Sequence, residues 1–315
     1  MKVAVIDLGT NTFHFMEAEV SAAAYSILYK ERVPVKIGEK GINKDEITPE
    51  AWGRAVAVLK EFKKKIDQSA INQVYGTATS AIRNAKNGKA FVREIKKITG
   101  IEIEIISGKR EALLIHLGVS KAMDLGEEKS LIMDIGGGSI EFIIADKHRA
   151  YWMHSFEIGG QRLVEKFHDS DPITENEINN LHHFFDEQLA LLFEAYQIHQ
   201  PSTLIGCSGT FDTLNDIYCE ANKIPGDANL TELPFNIDAF NAIFRELITK
   251  SRQQRLEIPG MVEMRVDMIV TACILINYLI EKFSLSSLRV STYALKEGIL
   301  FNALAAIQKG KFFSV

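Results

Sequence analysis

The chain is poor in cysteine, and this absence excludes two classes of protein. Its 315 residues include three cysteines, Cys207, Cys219 and Cys273, with no C-x-x-C spacing among them. So few thiols, odd in number, do not form a disulfide framework, and they lack the spacing of a zinc or iron–sulfur site. We therefore expect a reduced, cytoplasmic protein.

Long apolar runs and an excess of positive charge are also missing. The longest uncharged apolar run, Met268 to Ile280, is too short to cross a bilayer and predicts a buried helix instead. The chain opens directly into a predicted strand, so we expect no signal peptide. The formal net charge of −5 at pH 7 disfavours general nucleic-acid binding. We expect neither a membrane nor a nucleic-acid partner.

The chain does contain one glycine-rich pattern in two copies. The segment Asp7–Phe15 (Asp-Leu-Gly-Thr-Asn-Thr-Phe-His-Phe) recurs as Asp134–Phe142 (Asp-Ile-Gly-Gly-Gly-Ser-Ile-Glu-Phe). Each copy lies between two strand-like runs, which predicts a hairpin whose turn is opened by a carboxylate. Glycine allows a close approach of the backbone to a ligand, and N–H groups with Ser or Thr hydroxyls bind anions. The two copies predict two similar domains that bind one phosphorylated ligand in the cleft between them.

The order of the predicted elements indicates the fold class. Strands and helices alternate in both halves, and each half starts with a hairpin, which together indicate α/β domains with mixed sheets. We place the first domain at residues 1–119 and the second at residues 120–300. The boundary lies just before the polar stretch Met123–Lys129.

Two local signals mark the starts of helices. Thr48-Pro49-Glu50 combines an N-cap with a proline at the first helical position. Thr174-Glu175-Asn176-Glu177 is a capping box, and it predicts one long amphipathic helix that continues to about Tyr196.

Six short blocks occur in the order expected for one enzyme family. They are Ile6–Thr12, Gly76–Arg83, Ile106–Ala112, Asp134–Glu141, Gly206–Thr210 and Val290–Gly298. Together they resemble the motifs of the exopolyphosphatase/guanosine pentaphosphate phosphohydrolase family, which belongs to the actin-like ATPase superfamily. The resemblance covers nearly the whole chain. It implies two actin-like, ribonuclease H-like domains with an inter-domain cleft, and a C-terminal helix (residues 301–315) that packs back on the first domain.

The resemblance also implies an activity, which is metal-assisted attack of water on a terminal phosphoanhydride. The substrate would be inorganic polyphosphate or guanosine pentaphosphate, and the catalytic carboxylate would be Glu111. Asp134, Glu141 and Asp7 are the candidates for holding Mg²⁺ or another divalent cation, because Mg²⁺ prefers a few carboxylates together with phosphate oxygens. The candidate phosphate-binding residues are Gly9, Thr10, Asn11, Thr12, Arg83, Gly136, Gly137, Gly138, Ser139, Ser208, Gly209 and Thr210.

Four positions depart from the family pattern. The family often has an acidic residue at the position of Arg110 and an arginine at that of Leu113, and usually glycine and arginine at Ala294 and Lys296. The chain also lacks the helical C-terminal half of the longer exopolyphosphatases, which disfavours processive work on long polymers. The lysine at 296 keeps the charge but loses the planar fork of an arginine.

Two other functions stay open at this point. A kinase of the same superfamily would need an acceptor pocket and usually an aspartate base. A phosphate- or nucleotide-sensing module would bind tightly without turnover, and the four departures are compatible with it. Neither the preference between the two substrates nor the formation of a homodimer follows from the sequence.

Overall fold

The computed structural model describes residues 1–21, 24–227 and 229–308. Short 3-10 turns lie at Ile42–Lys44 and Glu263–Arg265. The strands and α-helices are β1 (Lys2–Leu8), β2 (Thr12–Val20), β3 (Tyr25–Pro34), α1 (Pro49–Gln68), β4 (Gln73–Ala78), α2 (Ser80–Asn84), α3 (Gly88–Thr99), β5 (Ile103–Ile105), α4 (Gly108–Ala122), β6 (Ser130–Ile135), β7 (Ile140–Ala145), β8 (Ala150–Phe156), α5 (Gly160–Phe167), α6 (Glu175–Gln188), α7 (Ala190–His199), β9 (Thr203–Cys207), α8 (Gly209–Asn222), β10 (Glu232–Leu233), α9 (Ile237–Thr249), α10 (Arg252–Leu256), α11 (Met268–Lys282), β11 (Ser287–Ser291) and α12 (Leu295–Gln308).

The chain divides into two compact units. Unit 1 contains Met1–Gly118 and the segment that begins at Leu295, and unit 2 contains Val119–Ala294. The domain limits inferred from the sequence, 1–119 and 120–300, remain predictions. Within unit 1, α12 packs against β1 and β2. The part of the predicted C-terminal helix that follows Gln308 lies outside the described residues.

Unit 1 is built on a five-stranded mixed sheet in the order β3-β2-β1-β4-β5. The first three strands form an antiparallel meander, while β4 pairs parallel to β1 and β5 parallel to β4. Strand β1 is buried along almost its whole length, as expected for a central strand covered on both faces. Its residues, with those of α1 and α3, form the core of this unit.

Unit 2 repeats the same plan in a six-stranded sheet of order β10-β11-β9-β6-β7-β8. Strands β6, β7 and β8 form the meander, β9 pairs parallel to β6, and β11 pairs parallel to β9. The short β10 adds an antiparallel edge. Read from β8, the first five strands match the order in unit 1. The α/β fold class, with a mixed sheet in each of the two units, is therefore confirmed.

The core of unit 2 is centred on α11. This helix packs against α5, α6 and α9, and all but a few of its residues are buried. The prediction of a buried helix at Met268–Ile280 is thus confirmed. None of the helices in the described ranges is both long enough and apolar enough to span a membrane.

Both predicted helix starts are confirmed, but one predicted helix is too long. Thr48 caps α1 and Thr174 caps α6 through a complete capping box. The helix after Thr174 ends at Gln188, and α7 follows Leu189, whose φ of −99° and ψ of 17° leave the helical region. An apolar stripe that continues through both helices does not reveal a single residue of changed backbone, so the sequence predicted one helix.

The capping box makes α6 sensitive to acid. Burial raises the pKa of Glu177, but hydrogen bonds from Thr174, Ser170 and Asp169 outweigh it and lower the pKa to about 2 from 4.5. Because the pKa is lowered in the folded state, this stabilisation is complete above 4.5 and is lost as the pH falls towards 2. In Glu177→Gln, the urea midpoint should therefore fall less between about pH 5 and about pH 3 than it does in the wild type. Glu175→Gln, in the same helical turn, is the control. Parallel curves for the wild type and Glu177→Gln would contradict the prediction.

Candidate active site

The first glycine-rich turn joins β1 to β2. We call Gly9–Thr12 loop 1. Its closing bond runs from the Gly9 N–H to the Thr12 carbonyl at 3.1 Å, and a Cβ at Gly9 would lie 2.9 Å from that oxygen. Glycine is needed here because the backbone turns back on itself too closely for a side chain. Thr10, Asn11 and Thr12 are all buried.

Loop 1 is held by the segment that follows β3. In this supporting segment 1, Val35–Gly38, the N–H groups of Val35 and Lys36 both donate to the Asn11 carbonyl, and Gly38 donates to the Thr10 carbonyl. A Cβ at Gly38 would lie 2.6 Å from Cγ2 of Thr10, so the approach requires glycine.

The arginine at position 54 of α1 fixes supporting segment 1 in turn. Its Nε donates to the Val35 carbonyl at 2.8 Å, and its Nη2 donates to the Lys36 carbonyl and to Glu39 Oε2, both at 2.9 Å. The orientation of loop 1 therefore depends on a chain of contacts that reaches α1.

The second turn, Gly136–Ser139 (loop 2), joins β6 to β7 and repeats the geometry of loop 1. The Gly136 N–H donates to the Ser139 carbonyl at 3.0 Å, and a Cβ at Gly136 would again lie 2.9 Å from that oxygen. The duplication seen in the sequence is thus also a duplication of the backbone conformation.

Loop 2 is held by the start of α5. The N–H groups of this supporting segment 2, Gly159–Gln161, donate to the carbonyls of Gly138, Gly136 and Gly137 at 2.9–3.1 Å. Nε of Arg162 adds a second bond to the Gly138 carbonyl at 3.0 Å. A Cβ at Gly159 would lie 2.5 Å from backbone atoms of Gly137 and Gly138.

With its carbonyls bound, loop 2 presents N–H groups as donors. Within the described residues, the N–H groups of Gly137, Gly138 and Ser139 donate no hydrogen bond. A trans peptide carries its C=O and N–H on opposite sides, so binding the carbonyls turns the N–H groups away from α5. Successive N–H groups that are free to donate form an anion-binding turn.

Each loop lies next to a row of polar side chains that crosses the sheet. Directly opposed residues on neighbouring strands place their side chains on the same face. In unit 1 the row is Arg32, His14, Asp7, Thr77 and Glu104. In unit 2 the equivalent row is Ser155, Glu141, Asp134, Cys207 and Ser291. The aspartate that opens each loop therefore occupies the same place in both sheets.

The two acidic side chains of unit 2 accept hydrogen bonds from serines. Oε1 of Glu141 accepts from Ser139 Oγ at 2.7 Å and from Ser155 Oγ at 2.6 Å. Oδ2 of Asp134 accepts from Ser208 Oγ at 2.8 Å. Both carboxylates are buried, and buried charges require such donors.

The third glycine motif, Ser208–Thr210 (loop 3), joins β9 to α8. Ser208 has φ of +70°, a conformation that a residue other than glycine adopts at a cost. Gly209 lies under the guanidinium of Arg265, because a Cβ there would be 2.1 Å from Nη2. Thr210 is buried in the first turn of α8. Loop 3 is thereby hydrogen-bonded to Asp134 through Ser208 and covered by the guanidinium of Arg265.

In unit 1, the predicted catalytic carboxylate contacts the predicted phosphate-binding arginine. Nη1 of Arg83 donates to Oε2 of Glu111 at 2.6 Å and to the Ile106 carbonyl at 3.3 Å. Both side chains are largely buried, with exposed fractions of 14% and 7%. Glu111 lies in the first turn of α4, where the helix dipole favours a negative charge.

None of the three thiols is suited to nucleophilic attack. Cys207 and Cys273 are fully buried. Burial raises the pKa of Cys273, and burial is also the main cause that raises the pKa of Cys219. A thiolate is the reactive form, so a raised pKa disfavours a covalent mechanism.

The lysine that departs from the family pattern at position 296 has a local role. Nζ of Lys296 lies 3.3 Å from Oε2 of Glu297, and Nζ of Lys30 lies 3.0 Å from Oε1 of the same residue. The Glu297 side chain is fully buried, so the two lysines neutralise a charge that would otherwise be costly. Leu113, another departure, is exposed on α4.

The donors of unit 2 fit a divalent cation only if waters and phosphate oxygens supply most of its ligands. In residues 1–21, 24–227 and 229–308, no three His, Cys, Asp or Glu side chains are grouped as a metal site. A cage made only of protein ligands therefore does not fit. Mg²⁺ instead uses one or two carboxylates, with waters and phosphate oxygens as its other ligands. Asp134 and Glu141, which are direct neighbours across β6 and β7, meet that requirement.

Comparison with known proteins decides the family. The model of the Ppx/GppA phosphatase family matches residues 17–306. The chain belongs to this family. The matched range includes Arg83, Glu111 and loops 2 and 3, while loop 1 precedes it.

Solved structures of family members have the same fold. An exopolyphosphatase from Cytophaga hutchinsonii is 40% identical, with a TM-score of 0.93 and 99% of each chain covered. An Aquifex aeolicus Ppx/GppA family member is 25% identical, with a TM-score of 0.79 and 99% of each chain covered. A Haemophilus influenzae protein that is provisionally assigned as an exopolyphosphatase is 26% identical over 302 residues, which are 96% of this chain and 91% of that protein.

The structure brings several predicted site residues together and adds others. Glu111 contacts Arg83, and Ser139 contacts Glu141, as does Ser208 with Asp134. The sequence reasoning did not predict that the two supporting segments and Arg162 hold the loops. One signal was present, since a glycine follows the third strand of the meander in both units. Arg162 had no such signal, because its partner is a carbonyl from a distant part of the chain.

The contact between supporting segment 2 and loop 2 generates a prediction. Gly159→Ala places a Cβ against backbone that cannot move aside cheaply, so it should lower the free energy of unfolding by about 1–3 kcal/mol. Gly160→Ala is the matched control, because its Cβ would lie 3.4 Å from Met268 Cβ, an ordinary contact. Chemical denaturation measures both variants. Equal stability of the two would show that loop 2 does not depend on this approach.

Proposed function

We propose that the chain is a phosphoanhydride hydrolase that releases the terminal phosphate of inorganic polyphosphate, with guanosine pentaphosphate as a second substrate. The observation that carries the proposal is the contact of Glu111 with Arg83 at 2.6 Å, within a member of the Ppx/GppA phosphatase family. The name of the similar Cytophaga hutchinsonii exopolyphosphatase supports polyphosphate as the first substrate to test. The family name supports guanosine pentaphosphate. The reduced thiols support a cytoplasmic location.

Glu111 and Arg83 would divide the chemistry between them. Glu111 accepts a proton from a water molecule, whose oxygen then bonds to the terminal phosphorus while the bridging P–O bond breaks. The leaving chain departs as a phosphate anion. Arg83 has a planar fork with several donors, so it can bind a phosphate oxygen and still orient the carboxylate. Burial of the pair keeps both groups in one geometry.

The loops would bind the phosphate oxygens. N–H groups of Gly137, Gly138 and Ser139 are held in position before any ligand arrives, since their carbonyls are bound to α5. Donors that need no rearrangement stabilise developing charge most effectively. Loop 1 has the same backbone geometry and would bind phosphate in the same way.

A divalent cation would be held by Asp134 and Glu141 of unit 2. When bound, such an ion neutralises charge on the phosphate oxygens and on the leaving group. The serine donors on Asp134 and Glu141 fix the orientation of these carboxylates in advance.

The first test is phosphate release from short-chain polyphosphate and from guanosine pentaphosphate, each in Mg²⁺ and in EDTA. The wild type should release phosphate only with the metal. Glu111→Gln should reduce kcat by about 10²–10⁴-fold, because the amide cannot accept the proton, and it should leave substrate binding largely intact. Glu102→Gln, an exposed residue with a side chain that is 75% exposed, should have no effect.

Four results would contradict this function or the role of Glu111. A folded wild type that releases no phosphate from either substrate is not a hydrolase of this kind. ATP consumption that depends on an acceptor would indicate a kinase, and tight binding without turnover would indicate a sensing module. An unchanged rate in Glu111→Gln would remove Glu111 from the mechanism.

Replacement of Arg83 tests the second half of the pair. Arg83→Lys keeps the positive charge but cannot bind both a phosphate oxygen and Glu111 with one planar group. We expect kcat/KM to fall by roughly tenfold or more. Arg93→Lys, on the exposed face of α3, is the matched control. Equal kinetics of Arg83→Lys and the wild type would contradict the assigned role.

A further inference from the structure

We propose that the side-chain hydroxyls of the two duplicated loops have different roles. The Thr12 hydroxyl of loop 1 donates to a phosphate oxygen. The hydroxyls of Ser139 and Ser208 do not, because they already donate hydrogen bonds to carboxylates. The inference rests on the proposed phosphate-binding function of the loops and specifies which hydroxyls carry it. The backbone N–H groups of loop 2 keep their role as phosphate donors.

The first evidence is the burial of the Thr12 hydroxyl. Thr12 is 5% exposed, and its buried Oγ1 has no hydrogen-bond partner among residues 1–21, 24–227 and 229–308. A buried hydroxyl without a partner is costly, and native structures rarely keep one without reason. An anion bound in loop 1 would supply the missing acceptor.

The equivalent position in loop 2 is Ser139, and its situation is the reverse. Its Oγ donates to Oε1 of Glu141 at 2.7 Å. A hydroxyl has one proton, so a proton given to the carboxylate is no longer available to a phosphate oxygen. Ser208 of loop 3 is in the same state, since its Oγ donates to Oδ2 of Asp134 at 2.8 Å.

The difference follows from the residue two positions beyond each hydroxyl. That residue lies on the same face of the strand as the hydroxyl residue. It is Glu141 in unit 2 and His14 in unit 1, each directly opposite the aspartate that opens its loop. An ionised carboxylate can only accept hydrogen bonds, so Glu141 accepts the one that Ser139 donates. The two copies share a backbone conformation but differ in the residue at this position.

The experiment is metal-free anion binding, measured by calorimetry with inorganic tripolyphosphate in EDTA. Thr12→Val removes the hydroxyl and keeps the side-chain shape. It should weaken binding by about tenfold or more, the effect of losing a hydrogen bond to a charged group. Thr12→Ser, which retains the hydroxyl, should bind within about threefold of the wild type.

The matched variants in unit 2 are Ser139→Ala and Ser208→Ala. Both should weaken tripolyphosphate binding clearly less than Thr12→Val does, because neither hydroxyl proton reaches the anion. A second readout separates function from structure. The ligand-free unfolding temperature of Thr12→Val should equal or exceed that of the wild type, because the variant no longer buries an unsatisfied hydroxyl.

Three results would overturn the inference. They are unchanged tripolyphosphate binding in Thr12→Val, an equal loss in Ser139→Ala or Ser208→Ala, and an absence of binding by the wild type in EDTA. Phosphate release in Mg²⁺ is measured separately. If release fails while metal-free binding follows the expected pattern, the failure concerns the proposed hydrolase function and not the roles of the hydroxyls.

Discussion

The orientation of the loop carbonyls is the constraint on which the candidate site depends. The sequence of a short turn does not by itself set the direction of its peptide groups, least of all in the three glycines of loop 2. In this protein the direction is set by N–H groups of another segment, Val35–Gly38 for loop 1 and Gly159–Gln161 for loop 2, which bind the carbonyls. Because a peptide group is planar, the loop N–H groups then point the other way. The N–H groups of each loop are therefore oriented during folding, and a ligand that binds them causes no further ordering cost.

This constraint explains how far the sequence could predict the site. The loops were predictable because a strand, a carboxylate and a glycine turn form a local pattern, and because that pattern occurs twice. The order of the six motif blocks supplied the family, and with it the fold. The segments that hold the loops were not predictable, since they approach only when the third strand of each meander has paired. In the sequence, Gly38 and Gly159 look like ordinary turn residues. Only the structure shows that each lies against a loop, because a Cβ at either position would be 2.5–2.6 Å from loop atoms.

The charged residues of the site show the same division between local pattern and tertiary contact. The sequence treated Glu111 and Arg83 as separate candidates in separate blocks. In the structure they form one buried pair, so a substitution of either removes an ionic contact from the other. The roles of the two residues are therefore coupled, and kinetic losses from the two substitutions should not add. The helical periodicity of apolar residues likewise did not predict the end of α6. At Leu189 one residue of changed backbone separates α6 from α7, although the apolar stripe continues.

The duplicated architecture allows each half to serve as a reference for the other. Strand order, loop closure and the position of the opening aspartate are the same in both units, so these features belong to the shared fold. What differs between the copies cannot be required by that fold. The residue opposite the aspartate is His14 in one unit and Glu141 in the other. The carboxylate of Glu141 accepts hydrogen bonds from the hydroxyls of Ser139 and Ser155, whereas the buried hydroxyl of Thr12 has no partner in the described part of the chain. An unsatisfied buried hydroxyl lowers the stability of the folded chain. Its presence in the turn proposed to bind phosphate therefore argues that the position is shaped by a ligand and not by the stability of the free protein.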